Sequence, residues 1–154
     1  IISFGKKTQV CGIFASNRLN EVEGHVFEES SRLNSTWGGN LVDMVRFTIY
    51  LEIIERENLL DQVKENGDYL KLGLESLQKN YPETVFNVRN RGLFGAFDLK
   101  SEEERDKSIE LIAKEGALML GCGTKSIRFR PHLNVSRTEI DQGIDMINQA
   151  LKHL

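Results

Sequence analysis

Three short segments carry residue types that could do chemistry, and each suits a different kind of partner. The first, Phe4-Gly5-Lys6-Lys7-Thr8, places two amines at a turn. Paired lysines in such a place are usually solvated. A lysine that forms a Schiff base must react as the neutral amine, which calls for a rigid support and either partial desolvation or nearby cations. A lysine leaving a buried strand meets the geometric part of that need. The second segment is Ser31-Arg32-Leu33-Asn34-Ser35-Thr36-Trp37-Gly38-Gly39-Asn40. Hydroxyls and glycines just ahead of a helix offer donors to an anion such as phosphate, helped by the positive end of the helix dipole. The same residues serve as ordinary caps, with Ser35 or Thr36 as N-cap and Trp37 as plain packing. The third segment, Ile127-Arg128-Phe129-Arg130-Pro131-His132-Leu133, alternates two arginines with apolar residues, so a strand would present both on one face. An arginine fork grips a carboxylate through two parallel hydrogen bonds, which a lysine cannot do. An edge strand with solvated arginines is the competing reading. His132 has no second histidine or acid at ligand spacing, so it reads as a loop or packing residue.

These segments need supports. Residues 1–16 alternate short apolar runs with Gly5 and Gly12, predicting two short strands joined by a turn at Lys6-Lys7. Residues 17–35 are polar and aperiodic, a surface loop with Phe27 and Leu33 as isolated anchors. Apolar residues at three- and four-residue spacing predict helices over 41–57 and 59–79, either one long bent helix or a stacked pair ended by Pro82. Strands over 85–88 and 93–99 flank a turn at Asn90-Arg91-Gly92, and two more strands fall at 117–120 and 126–130. Ser101 with Glu104, and Ser136 with Glu139, fit capping boxes that open helices over 102–115 and 138–152. This order describes an α+β layer with a small antiparallel sheet.

Composition narrows the partners. With 20 basic against 23 acidic residues the net charge is -3, which gives no electrostatic reason to expect nucleic acid or an anionic membrane. Small molecules or proteins are the expected partners. The apolar runs are too short to span a bilayer, and the start lacks the zones of a secretory signal. Cys11 and Cys122 show no metal-ligand spacing and are read as reduced thiols of a cytoplasmic protein. An apolar strand at residues 1–4, without initiator methionine, leads us to read the chain as a piece of a longer one.

Taken together and in order, the three segments resemble the end of a class III aminotransferase of the fold type I group, and the resemblance extends over all 154 residues. Phe4-Gly5-Lys6, with Gly12 downstream, is similar to the family's Phe-Gly/Ser-Lys motif, so the resemblance implies Lys6 as the lysine that holds pyridoxal 5'-phosphate. Lys7 ranks second, because its side chain should point the other way if the strand continues. Ser35-Thr36-Trp37-Gly38-Gly39-Asn40 matches a segment whose threonine reaches the cofactor phosphate of the neighbouring subunit, which assigns that role to Thr36 within a homodimer with shared active sites. Arg128-Phe129-Arg130-Pro131-His132-Leu133 matches a late Arg-x-x-Pro-x-Leu motif whose arginine takes a substrate carboxylate, here Arg128. His132 stands where that motif usually has a second proline. The implied architecture is the end of the large cofactor-binding α/β domain over 1–38, an interdomain helix over 39–58, and the C-terminal small domain over 59–154.

Within the family, the strings 5–12 and 31–40 are similar to lysine 6-aminotransferases. That similarity implies transfer of the ε-amino group of L-lysine to 2-oxoglutarate, with Asn34 helping to shape the substrate pocket. The 4-aminobutyrate aminotransferases share the double lysine and the Arg-Phe-Arg-Pro run and are the nearest rival; a non-catalytic α+β interaction module is the alternative of another class. The family's glycine/serine phosphate loop, the aromatic ring stacked on the cofactor, the aspartate at its ring nitrogen and the glutamate that gates the arginine find no match in these 154 residues. The chain alone is therefore expected to be inactive.

Overall fold

The computed structural model describes residues 1–33, 36 and 38–154, apart from the side chain of Lys7; Asn34, Ser35 and Trp37 lie outside the described residues. The chain divides into two units, Ile1–Glu57 and Asn58–Leu154.

In the first unit, β1 (Ile2–Phe4) pairs antiparallel with β2 (Gly12–Phe14), Phe4 opposite Gly12. Only glycine fits at position 12, because a side chain there would collide with the Phe4 ring, which stacks on Phe14 at 4.7 Å. The two strands are joined by a single 3-10 turn, Lys6–Thr8. β1 is mostly exposed in this unit, unlike the buried strand expected. Residues 17–33 form the expected loop, beginning with a short 3-10 helix at Asn17–Glu21. Its anchor differs from expectation, since Phe27 and Leu33 are exposed and His25 is buried. The His25 ring fixes a turn by accepting from the Phe27 backbone N–H at 3.2 Å. Helix α1 (Leu41–Arg56) follows and buries none of its residues.

The second unit opens with α2 (Leu59–Asn80), preceded by Asn58 in a left-handed conformation (φ 50°), so the two helical runs are separate helices. Then come β3 (Phe86–Arg91), β4 (Phe94–Asp98), α3 (Glu102–Lys114), β5 (Leu120–Cys122), β6 (Ser126–Phe129) and α4 (Arg137–Leu151). The strands form one antiparallel sheet in the order β3-β4-β6-β5. This is the α+β small sheet with covering helices that the sequence predicts. Leu70, Leu74 and Leu77 of α2, Ile112 of α3 and Ile140 and Ile147 of α4 pack with Phe97, Ile127 and Phe129 of the sheet. Each such side chain contributes roughly 1.5–3 kcal/mol on burial.

Three local expectations shift. The β3–β4 turn is Gly92-Leu93, not Asn90–Gly92, because Arg91 pairs with Phe94 and Gly92 takes the positive φ (55°). At this turn α2 comes so close that a side chain on Gly67 would strike the Gly92 backbone. The strand expected at 117–120 begins only at Leu120, since the Ala117 N–H is taken by the Ile112 carbonyl at the end of α3. The Ser136–Glu139 box closes in both directions, but the Ser101–Glu104 box closes in one. There the Glu104 carboxylate accepts from the Lys100 N–H instead. No helix among the described residues is long and apolar enough to cross a membrane.

Candidate active site

The hairpin geometry puts Lys6 at the point where β1 gives way to the 3-10 turn, with a left-handed backbone (φ 56°) and an exposed side chain. The turn is closed by its own hydrogen bonds. The Gln9 N–H donates to the Lys6 carbonyl at 2.9 Å, and Thr8 Oγ1 donates to the Val10 carbonyl at 2.7 Å. Lys6 thus stands on a short, internally bonded platform rather than on a strand that continues. The opposite orientation expected of the Lys7 side chain lies outside the described residues.

Thr36 is also exposed. The capping alternative for its segment is met by a different residue: the Asn40 side chain accepts from the Val42 N–H at 3.0 Å and caps α1. Asn34, the expected pocket residue, lies outside the described residues. A depression of about 430 Å³ is lined by Phe4, Cys11 and Gly12 from around Lys6, and by Leu33, Gly38 and Gly39 from around Thr36. The first unit therefore brings these two segments to one hollow.

Arg128 lies in the second unit, on β6, opposite Ala96 of β4 and Leu120 of β5. β6 is an interior strand, so the edge-strand alternative is set aside. Arg130 is exposed just past its end, and both arginines line a cavity of about 270 Å³ whose walls include Leu70, Met119, Phe129 and Ile144. Arg128 Nε is buried and has no acceptor among the described residues. A buried donor without a partner is costly unless a ligand supplies the acceptor. His132 is a loop residue, with Nδ1 2.9 Å from Asn134 Oδ1.

Sequence reasoning missed one polar cluster beside Arg128. Asp98, at the end of β4, is buried and accepts from Ser126 Oγ (2.6 Å), Arg89 Nη1 (2.8 Å) and Asn87 Nδ2 (2.9 Å). Burial pushes its pKa up, but the hydrogen bonds from Ser126, Asn87 and Arg89, with the Arg89 charge, outweigh this and hold the carboxyl below its usual range. The available signal was an acid closing the apolar run 93–99, where a lone charge would not be buried unpaired.

This combination of a small antiparallel sheet under helices with a preceding lysine hairpin is that of fold type I aminotransferases, and the chain belongs to the class-III aminotransferase family, whose profile matches residues 1–151. Among curated proteins it is 49% identical over 152 residues to the L-lysine-epsilon aminotransferase of Amycolatopsis lactamdurans, covering 98% of this chain and 34% of that protein. A solved lysine aminotransferase from M. tuberculosis superposes with a TM-score of 0.93 at 45% identity, covering 98% of this chain and 35% of that one. The 4-aminobutyrate aminotransferase of Dictyostelium discoideum is more distant, 35% identical over 154 residues that make up all of this chain and 30% of that protein. The chain thus spans about a third of the length of the curated relatives it matches.

Proposed function

We propose that these residues are the C-terminal part of a lysine 6-aminotransferase, which moves the ε-amino group of L-lysine to 2-oxoglutarate and yields 2-aminoadipate 6-semialdehyde and glutamate. The observation that carries this reading is the exposed Lys6 amine on its hydrogen-bonded turn, in a chain 49% identical over 152 residues to an L-lysine-epsilon aminotransferase. The donors suit that group: a primary amine for its aldehyde, a hydroxyl and glycine backbone for its phosphate. In this reading residues 1–38 belong to the cofactor-binding domain, 39–58 to an interdomain helix and 59–154 to the small domain.

When bound, the cofactor supplies the electron sink of the reaction. Lys6 would hold it through its amine and, when that amine is free, would carry the proton taken from the substrate carbon. Thr36 donates its hydroxyl to the phosphate held by a partner copy, so the working unit is a homodimer of the complete chain in the cytoplasm. Arg128 takes the carboxylate of 2-oxoglutarate or glutamate through its fork, and its unpartnered Nε supports that role. Asn34 helps to shape the pocket for the amino donor. The 154 residues alone are inactive, because most of the cofactor contacts come from elsewhere in the complete enzyme.

The test is product analysis. The complete enzyme given L-lysine and 2-oxoglutarate should form 2-aminoadipate 6-semialdehyde; succinate semialdehyde from 4-aminobutyrate as the faster product would favour the rival donor.

A further inference from the structure

The turn that carries Lys6 holds an unfavourable backbone. Lys6 (φ 56°) and Gln9 (φ 65°) both take left-handed conformations, at the two ends of the 3-10 turn, and neither is glycine. Residues with a side chain keep such conformations only where the surrounding contacts impose them. Bonds inside the turn do part of this, with the Gln9 N–H on the Lys6 carbonyl at 2.9 Å. Helix α1, in the same unit, supplies contacts from outside it.

Those contacts fall on both sides of Lys6. Two residues before it, the Phe4 ring stacks on Phe47 of α1 at 6.5 Å as well as on Phe14. Three residues after it, Gln9 Oε1 accepts from Arg46 Nη1 at 2.9 Å. The other end of the Gln9 amide, Nε2, faces the Lys6 carbonyl at 3.5 Å, so this side chain spans from the helix to the peptide of the lysine itself. Arg46 is held in turn by Asp43, one helical turn earlier, whose Oδ1 accepts from the same Nη1 at 3.0 Å. Nη1 has one hydrogen for each acceptor. Asp43, Arg46 and Gln9 thus form a line of hydrogen bonds that ends at Lys6. The Asp43–Arg46 pair is exposed and adds little to stability, so removing Arg46 acts on the turn more than on the fold.

We infer that Arg46, acting through Gln9, is a positioning residue for Lys6: it holds the 3-10 turn in the backbone geometry that presents the amine to the cofactor aldehyde. The inference rests on the reading of Lys6 as the cofactor lysine.

The experiment uses the complete enzyme, freed of cofactor and titrated with pyridoxal 5'-phosphate. Absorbance of the bound cofactor gives Kd, and borohydride trapping with mass spectrometry gives the rate at which Lys6 is labelled. Arg46→Met should raise Kd and slow the labelling about fivefold or more, because the fraction of turns in the competent geometry falls. Its thermal midpoint should stay within about 3 °C of the parent. Arg46→Lys, which keeps donors for both acceptors, should stay within about twofold on both readouts. Gln9→Leu should match Arg46→Met, and the double variant should be no worse than either, the non-additivity of residues that act in one line. Gln9→Leu also reads the same contact from the hairpin side should Arg46→Met fail to fold. An unchanged Kd and labelling rate in Arg46→Met, losses shared by Arg46→Lys, or additive losses in the double variant overturn the inference. The parent enzyme separates the two levels. If its label is absent from Lys6, the reading of Lys6 itself fails; if its label is on Lys6 and Arg46→Met behaves like the parent, only the role of Arg46 fails.

Discussion

The two units differ sharply in what they bury. Asn58–Leu154 packs aliphatic and aromatic side chains from three helices and a sheet into one core. Among the described residues of Ile1–Glu57 only His25 is buried, while Ile1, Ile2, Phe14, Leu41, Val42, Val45, Ile49 and Leu51 are exposed. Both units are rich in apolar residues, so composition does not explain the contrast. The second unit carries its own apolar partners, whereas the apolar residues of the first are left exposed. The candidate residues divide along the same line: Lys6 and Thr36 belong to the unit without a core, and Arg128 to the unit with one.

Substitutions can test this contrast, most severely in the packed unit. Leu74→Ala, at a side chain with no exposed surface, should destabilise the chain by about 2–5 kcal/mol in chemical denaturation. Gly67→Ala drives a methyl group into the Gly92 backbone and should cost about 1–3 kcal/mol. Ser136→Ala opens the closed capping box and should cost about 1 kcal/mol. Ile49→Ser on α1 should change the stability of the 154-residue chain by no more than about 0.5 kcal/mol, but should cost clearly more in a complete enzyme that covers that face. An equally large loss in the short chain would erase the distinction between the units.

Acid gives a further handle on the second unit. The folded-state pKa of Asp98 is lowered, so its stabilising contribution is fully present above the unfolded value of about 3.9 and is lost as pH falls below that toward the folded value. Asp98→Asn should therefore flatten the acid limb of a denaturation profile and leave the neutral region's slope unchanged.

The packed unit was also the more legible in sequence. Period-3.6 runs and the Ser136–Glu139 box fixed its helices closely, because its apolar faces meet partners within the same stretch of chain. The misses were local. Gly92 rather than Asn90 took the turn, and a helix-terminating hydrogen bond from the Ala117 N–H to the Ile112 carbonyl, next to Gly116 at positive φ, delayed β5. In the first unit a polar, aperiodic stretch makes Phe27 and Leu33 look like anchors, but both are exposed. Lys6, Thr36 and Arg128 stand out in the sequence through motif resemblance, and their roles remain proposals. The Asp98 cluster does not stand out, because it depends on a bulge and a strand register that no local pattern announces.

The central claim is that the amine at position 6 carries the cofactor. Borohydride reduction of the complete holoenzyme, followed by proteolysis and mass spectrometry, should place the reduced pyridoxyl group on Lys6. A label on Lys7, or on no lysine of this hairpin, would contradict the account.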